Sequence, residues 1–331
     1  MHVPDHFLND PTSVATGVLA AGALVAATLQ ARRPTWAWAD PSPTRGDGGG
    51  DAPKLMSLTD RAGAPAFAAT TALVFGLQML NYPVSQGTSG HLLGGALAAA
   101  LLGPARGILS VSAVLAVQCL AFADGGLTAL GTNILLMAVV ATLTGWAVER
   151  ARPRGAVGIA AVAALGGAVS VPVTAAAFTA LYAIGGTEAV NFGELAGSML
   201  GLHLLIGLGE GLITGLVVAA VAFWAPGFAA IDQRQPEGRP AAFALGGLAV
   251  VAAAALSPLA SGWPDGLESA AEAVGFADAA RSHVFEAGAL ADYGSSTGLS
   301  VGLVGLIGLA LCVAVGLAAA PLLRVRRLAT A

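Results

Sequence analysis

Seven long apolar runs constrain this chain more than any other feature of its sequence. Each of them approaches or exceeds the length of about 20 residues that an α-helix needs to cross the hydrocarbon core of a bilayer. Only 10% of the 331 residues are charged and the mean hydropathy is +0.77, whereas a soluble domain carries about a quarter charged residues. We therefore predict an all-α, polytopic membrane helical bundle. The runs lie near residues 12–31, 64–80, 131–148, 157–183, 197–224, 241–257 and 299–322.

Two shorter, glycine-rich runs at 90–103 and 108–123 fit short or tilted spans inside the bundle. They raise the predicted number to about nine transmembrane helices, a seven-helix core and two C-terminal helices. With the N-terminus outside, fourteen of the fifteen Lys and Arg residues fall on the cytoplasmic side and only Arg281 lies outside, as the positive-inside rule requires. We therefore predict an extracytoplasmic N-terminus in a multi-pass protein of the plasma or inner membrane.

Two polar stretches divide the chain. Residues 32–62 include the Pro-, Gly- and Asp-rich segment 34–53, which predicts a cytoplasmic linker loop between the first two spans. Residues 225–240 form a second polar break. We therefore predict one domain at 1–225 and a second, two-span domain at 241–331 with an acidic extracytoplasmic loop.

The first residues carry a nitrogen-rich pattern. Because MHVPDHFLND has no basic n-region, it does not resemble a cleavable signal peptide, and we expect the chain to begin at Met1. A free Met1 amine, the His2 amide nitrogen and the His2 Nδ1 can close fused five- and six-membered rings on one ion, which leaves one planar position open. Planar all-nitrogen sets suit Ni(II), Cu(II) or Co(II) better than Zn(II). Without a fourth ligand, the simpler interpretation of His2 is a solvated residue near the terminus.

His91 is the candidate for the fourth position. It follows the turn-like stretch NYPVSQGTSG and opens the apolar run LLGGALAAALLG on the predicted outer side. An ionisable residue at the membrane edge is a functional hypothesis. A helix-start histidine that is hydrogen-bonded to Ser89 or to a carbonyl fits the same position.

Several motifs resemble the CbiM/NikM substrate-binding components of energy-coupling factor transporters. They are MHVPDHFLND at the start, PVSQGTSGHLLGGALAAALLGP at 83–104, QCLAFADGGLTALGTNI at 118–134 and GLGEGLITGLV at 207–217. Beyond the polar break, SPLASGWPDGLE at 257–268 resembles the PDGLE segment of the two-span accessory subunit CbiN/NikN. The resemblance covers nearly the whole chain except 32–62, and it assigns metal binding to 1–225 and a CbiN/NikN-like role to 241–331.

The resemblance implies that the N-terminus threads into the bundle and binds one Ni(II) or Co(II) through Met1, His2 and His91. It also implies a separate transmembrane coupling subunit and ATPase subunits. The chain itself has no GxxxxGK[ST] phosphate loop, and its sole lysine is Lys54. The family start is usually MHIPDGFL, so His6 replaces a glycine here, either as a transient extra ligand or as a tolerated surface residue.

Partners for the metal-binding imidazoles are expected nearby, because such rings usually donate their second N–H to an acceptor. The candidates are Thr88, Ser89, Gln118 and Asp124. Asp124 in the ADGGL turn also fits an Asx-type turn. Glu210, inside an apolar helix, is predicted to form a structural pair with His203 on the same face.

Two other function classes stay open at the level of sequence. An intramembrane serine hydrolase would use Ser89 of the GTSG motif as nucleophile and His203 as base. An ion-coupled metal permease would need carboxylates near the midplane, where Glu210 alone qualifies. Cys119 and Cys312 lie in apolar runs and indicate no disulfide or thiolate site. We expect a transport component rather than an enzyme, with membrane lipid and the coupling and ATPase subunits as partners and no nucleic acid.

Overall fold

The computed structural model describes residues 1–32, 63–85, 87–151, 155–232, 234, 241–294 and 298–323. The predicted linker at 34–53 lies outside the described residues. Most of the basic residues used to orient the chain lie outside them too, so the extracytoplasmic N-terminus stays a prediction. These residues are Arg33, Arg45, Lys54, Arg61, Arg152, Arg154, Arg239, Arg324, Arg326 and Arg327.

Helices make up most of the described part of the chain. In chain order they are α1 (Asp10–Ala31), α2 (Ala64–Gln78), α3 (Gly95–Leu102), α4 (Pro104–Phe122), α5 (Leu130–Glu149), α6 (Gly155–Gly185), α7 (Phe192–Trp224), α8 (Ala241–Leu259), α9 (Gly266–Val274) and α10 (Val301–Ala319). Both α5 and α8 contain a π-helical stretch, at Ile134–Val140 and Ala252–Leu256. Short 3₁₀ turns occupy Ser257–Leu259, Ala277–Ala279, Ala291–Gly294 and Ala320–Leu323.

Seven of the described helices are long and apolar enough to cross a membrane, which confirms a multi-pass helical bundle. They are α1, α4, α5, α6, α7, α8 and α10. By contrast, α3 has 8 residues and is about 12 Å long at 1.5 Å per residue, far less than the roughly 30 Å of a hydrocarbon core. With α2 at 15 residues, the count of nine spans stays a prediction.

Glycine ridges allow the long helices to approach closely. On α7, a Cβ atom built on Gly207 or Gly211 would lie 2.5 or 2.6 Å from a carbonyl oxygen of α6. On α10, a Cβ at Gly308 would lie 2.1 Å from the ring of Phe75 in α2. Small residues at such contacts are what membrane helices use to pack backbone against backbone. The C-terminal helix α10 is therefore packed directly on the core helix α2, which is buried from Ala66 to Gln78.

A short β-hairpin between α2 and α3 was not expected from an all-α prediction. Strand β1 (Tyr82–Ser85) pairs antiparallel with β2 (Thr88–Gly90). Gly87 has a φ of +76° in the turn between the strands, a conformation that favours glycine. His91 follows β2 directly, so the hairpin delivers this side chain to one end of the bundle.

The N-terminal segment and the loop between α8 and α10 meet the hairpin at that same end. Residues 1–9 make isolated β-bridges from Asp5 to Arg281 and from Leu8 to Gly186. The Asn9 N–H donates to the Gly185 carbonyl at 2.8 Å, at the end of α6. Segments that are far apart in sequence therefore enclose a single site there.

Candidate metal centre

The N-terminal segment runs inward, with Met1 and Val3 buried. The Val3 N–H donates to the Asn133 Oδ1 at 2.8 Å, and the Val3 carbonyl accepts from the Asn133 Nδ2 at 3.1 Å and from the Gly126 N–H at 2.9 Å. Buried backbone groups need such partners. Asn133 of α5 therefore fixes the chain two residues after the terminal amine.

The ADGGL turn is shaped to receive this segment. The Asp5 carboxylate accepts hydrogen bonds from the Leu127 N–H at 3.1 Å, the Thr128 N–H at 2.7 Å and the Thr128 hydroxyl at 2.6 Å. A Cβ atom on Gly126 would lie 2.3 Å from the Asp5 nitrogen. A side chain at Gly126 would therefore push the N-terminal segment away from its anchor.

The Met1 amine lies against His91, as the resemblance implied. Its nitrogen contacts the His91 Nε2 and is 2.6 Å from the Asp265 Oδ2, which is itself 3.4 Å from the His91 Nε2. The His91 Nδ1 lies 3.0 Å from the Leu92 carbonyl; a proton donated there leaves the Nε2 lone pair free. Burial tends to raise the pKa of Asp265, but the charge of the Met1 amine and the His91 ring hold it well below its usual value.

The ring of His2 stacks on that of His91, with centroids 5.1 Å apart and planes 12° apart. The His2 Nδ1 lies 3.1 Å from the Asp124 Oδ1, and its Nε2 lies 3.2 Å from the Gln118 Oε1. Burial lowers the pKa of His2 from 6.5 to about 4, so the ring is neutral near pH 7. No acceptor among the described residues takes a hydrogen bond from the His2 amide.

The four predicted partner residues separate into two pairs. Gln118 and Asp124 contact the ring of His2. Ser89 instead binds the PDGLE turn, with its N–H 2.9 Å from the Pro264 carbonyl and its hydroxyl 2.8 Å from the Trp263 carbonyl. Thr88 is buried in β2 and pairs with Ser85 of β1.

Glu210 has a different partner from the one predicted. Its carboxylate accepts the Leu93 N–H at 2.6 Å and the Gly94 N–H at 3.0 Å, so it holds the turn that follows His91. The His203 Nδ1 is 2.7 Å from the Met199 carbonyl one turn earlier in α7. The predicted pair of Glu210 and His203 is therefore wrong, because backbone groups of the short loop after β2 compete for the carboxylate.

Asn133 and Tyr293 were missed as site residues, and the contact of Asp265 with Met1 was not predicted. The Tyr293 hydroxyl donates to the Asp124 Oδ2 at 2.6 Å, and burial together with Asp124 raises the Tyr293 pKa well above its usual value. A polar Asn133 inside an apolar run was a usable signal, since polar groups in membrane helices need partners. No local sequence pattern predicts the contact between Asp265 and Met1.

A family model described as the cobalt uptake substrate-specific transmembrane region matches residues 2–228. The chain belongs to this family. A second model, the PDGLE domain, matches residues 239–325, which confirms the resemblance to a CbiM/NikM protein joined to a CbiN-like PDGLE region.

Relatives of the family extend over most of the chain. The putative fused nickel transport protein NikMN of Archaeoglobus fulgidus is 38% identical over 264 residues, which cover 76% of this chain and 84% of that protein. A putative metal transport protein of Haloquadratum walsbyi is 34% identical over 67% of this chain and 90% of its own length. The crystal structure of a truncated transition metal transporter superposes with a TM-score of 0.53 at 26% identity, over 67% of this chain and 99% of that one.

The family glycine that His6 replaces has a conformational explanation. His6 has a φ of +73°, in the left-handed region that favours glycine. Its Nδ1 lies 3.3 Å from the Ala279 carbonyl in the loop after α9. The histidine thus contacts the C-terminal region, and its backbone keeps the conformation that suits a glycine.

The geometry gives no support to a serine hydrolase. The Ser89 hydroxyl donates to a carbonyl oxygen, and within the described residues no histidine nitrogen accepts its proton. The nucleophile and base of such an enzyme must be within hydrogen-bond reach of each other. The relatives above are named as transport proteins, which agrees with a role other than catalysis.

Proposed function

We propose that this chain is the substrate-binding component of an energy-coupling factor type importer that takes up Ni(II) or Co(II). The ligands are the Met1 amine, the His2 amide nitrogen, the His2 Nδ1 and the His91 Nε2. The observation that carries the proposal is the contact of a buried terminal amine with the Nε2 of a buried histidine. Burying a terminal amine costs free energy unless it is paired, and here its partners are the His91 ring nitrogen and the Asp265 carboxylate.

The closeness of the two nitrogens fits neighbouring positions on one ion. Two metal–nitrogen bonds of about 2.0 Å at a right angle place their nitrogens roughly 2.8 Å apart. Within the part of the chain that the structure describes, the His2 amide donates no competing hydrogen bond, so it can lose its proton to an ion. The His2 ring must rotate to join the set, because its Nδ1 faces Asp124 in this structure.

Uptake against a gradient needs an energy source outside this chain. The sequence contains no phosphate-binding loop, so we assign ATP hydrolysis to separate ATPase subunits and its transmission to a membrane coupling subunit. Residues 1–225 would bind the ion, and residues 241–331 of the same chain would act on that site. The names of relatives that are fused nickel transport proteins support this division.

The test of the proposal is nickel binding by the purified full-length chain in detergent. We expect the His2→Ala change to raise the Kd for Ni(II) at least about 100-fold, beyond the 10- to 100-fold that loss of an outer partner costs. His6→Gly is the matched control, since it removes a histidine of the same segment and suits the positive φ; its Kd should stay within about twofold. Ser89→Ala should retain binding, whereas a hydrolase would lose its activity. Wild-type-like affinity in the His2→Ala protein would refute the ligand set.

Nickel affinity should fall steeply as the pH drops. Because burial lowers the pKa of His2 to about 4, its ring stays neutral above that pH, and protons do not compete with the ion for the ring nitrogen. The His2 amide has to lose its proton to bind the ion. The Kd should therefore rise by about tenfold or more per pH unit between roughly pH 7 and 5. Calorimetric titrations at several pH values would measure this, and a flat profile would contradict amide ligation.

A further inference from the structure

The PDGLE turn directs one carboxylate oxygen at the site. Asp265 is the N-cap of α9, and its Oδ1 accepts the Leu267 N–H at 2.7 Å and the Glu268 N–H at 3.0 Å. The Glu268 carboxylate in turn accepts the Asp265 N–H at 2.8 Å, which completes a capping box. With Oδ1 and the backbone fixed in this way, Oδ2 is free to bind something else.

That second oxygen touches two of the proposed ligands. It lies 2.6 Å from the Met1 nitrogen and 3.4 Å from the His91 Nε2. The Asp265 side chain is only 13% exposed. A carboxylate in such a place needs compensation, and here it contacts the groups that would hold the ion.

The turn is also fastened to the strand that precedes His91. Ser89 binds it through two hydrogen bonds, to the Trp263 and Pro264 carbonyls. A Cβ on Gly266 would lie 2.5 Å from the Ile206 Cδ1 and 3.0 Å from the His203 Cε1, both of α7. Contacts of the turn with β2 and with α7 therefore set the position of Oδ2.

We propose that Asp265 belongs to the metal site: its Oδ2 positions the Met1 amine beside His91. The inference rests on the proposed function and extends it, because it gives the C-terminal region a defined contribution to binding. Asp265 acts through the amine and is a positioning residue. Asp124, the other nearby carboxylate, faces the His2 Nδ1 and binds Tyr293.

The test compares two substitutions that each remove one negative charge from the same capping box. Asp265→Asn keeps an N-cap acceptor and removes the charge at the amine, whereas Glu268→Gln removes a charge that contacts neither Met1 nor His91. NiCl₂ is titrated into the purified full-length chain in detergent. We expect the Kd to rise at least about tenfold in Asp265→Asn and to stay within about twofold in Glu268→Gln.

Two further measurements separate the positioning of the amine by Asp265 from a purely structural role of this residue. We expect the absorption spectrum of bound Ni(II) to be unchanged in Asp265→Asn at saturating nickel, with a melting temperature within about 3 °C of wild type. Asp265→Ser, which also caps α9, should show the same loss of affinity. Equal affinity of Asp265→Asn and wild type, with His91→Ala inactive, would overturn the inference and leave the proposed function standing. A wild-type chain that binds no nickel would overturn the proposed function itself.

Discussion

A single glycine placed before Met1 is expected to abolish tight nickel binding. The extension removes the amine from the chelate and converts it into an amide, and the added residue has no space, because the Met1 nitrogen is enclosed by His91 and Asp265. Losing a ligand and the five-membered chelate ring should weaken binding by well over about 100-fold, the upper value for loss of an outer partner alone. Calorimetry on the purified chain measures the effect directly.

The control for this extension is the same molecule after cleavage. A chain made with a protease site directly before Met1 should bind no nickel until the protease releases the native amine, and should then regain the wild-type affinity. Recovery of the affinity after cleavage would show that the blocked amine, and not misfolding, had prevented nickel binding. Tight binding before cleavage would contradict the ligation by Met1.

Glu210→Ala should produce the largest loss of stability among single substitutions near the site. Glu210 is buried, and its carboxylate is the acceptor for the Leu93 and Gly94 N–H groups. Leaving two buried donors without acceptors costs about 1 to 3 kcal/mol each, so we expect roughly 2 to 6 kcal/mol in total. Nickel affinity should fall as well, because the loop that holds His91 loses its anchor. Thermal unfolding in detergent, followed by nickel titration of the folded fraction, would measure both.

Glu194→Ala is the matched control on the same helix. Glu194 is exposed in the first turn of α7, and exposed substitutions change stability by about 0.5 kcal/mol or less. If both variants melted at the same temperature as wild type, the hydrogen bonds of Glu210 would not anchor the loop.

The helical bundle was predictable because long apolar runs have few alternatives in a membrane. The runs at 12–31, 157–183 and 197–224 correspond to α1, α6 and α7 within a few residues. The run at 90–103 was harder to interpret. Its first residues end β2 and form a turn in which Gly94 has a φ of +80°, so only Gly95–Leu102 becomes helix.

The hairpin and the contact of Asp265 with Met1 could not be predicted from the sequence, for a physical reason. Strands β1 and β2 have 4 and 3 residues, too few for an alternating pattern to stand out from a turn. The proline and the aspartate of the WPDGLE motif are typical of a turn before a helix, and α9 begins there. Which group its spare oxygen meets depends on tertiary structure, since the Met1 nitrogen is 264 positions away.

Because Asp265 lies 264 residues after Met1 in the chain, the growing chain cannot close this end of the bundle early. Helices α1 to α8 precede Asp265 in the chain, so they are synthesised while the terminal amine still lacks its carboxylate partner. A chain that ends after α7 would keep the contacts of Met1 with His91 and of Val3 with Asn133, but it would lack the carboxylate that faces the amine. On the proposed role of Asp265, the metal site is therefore complete only after the PDGLE turn has been synthesised.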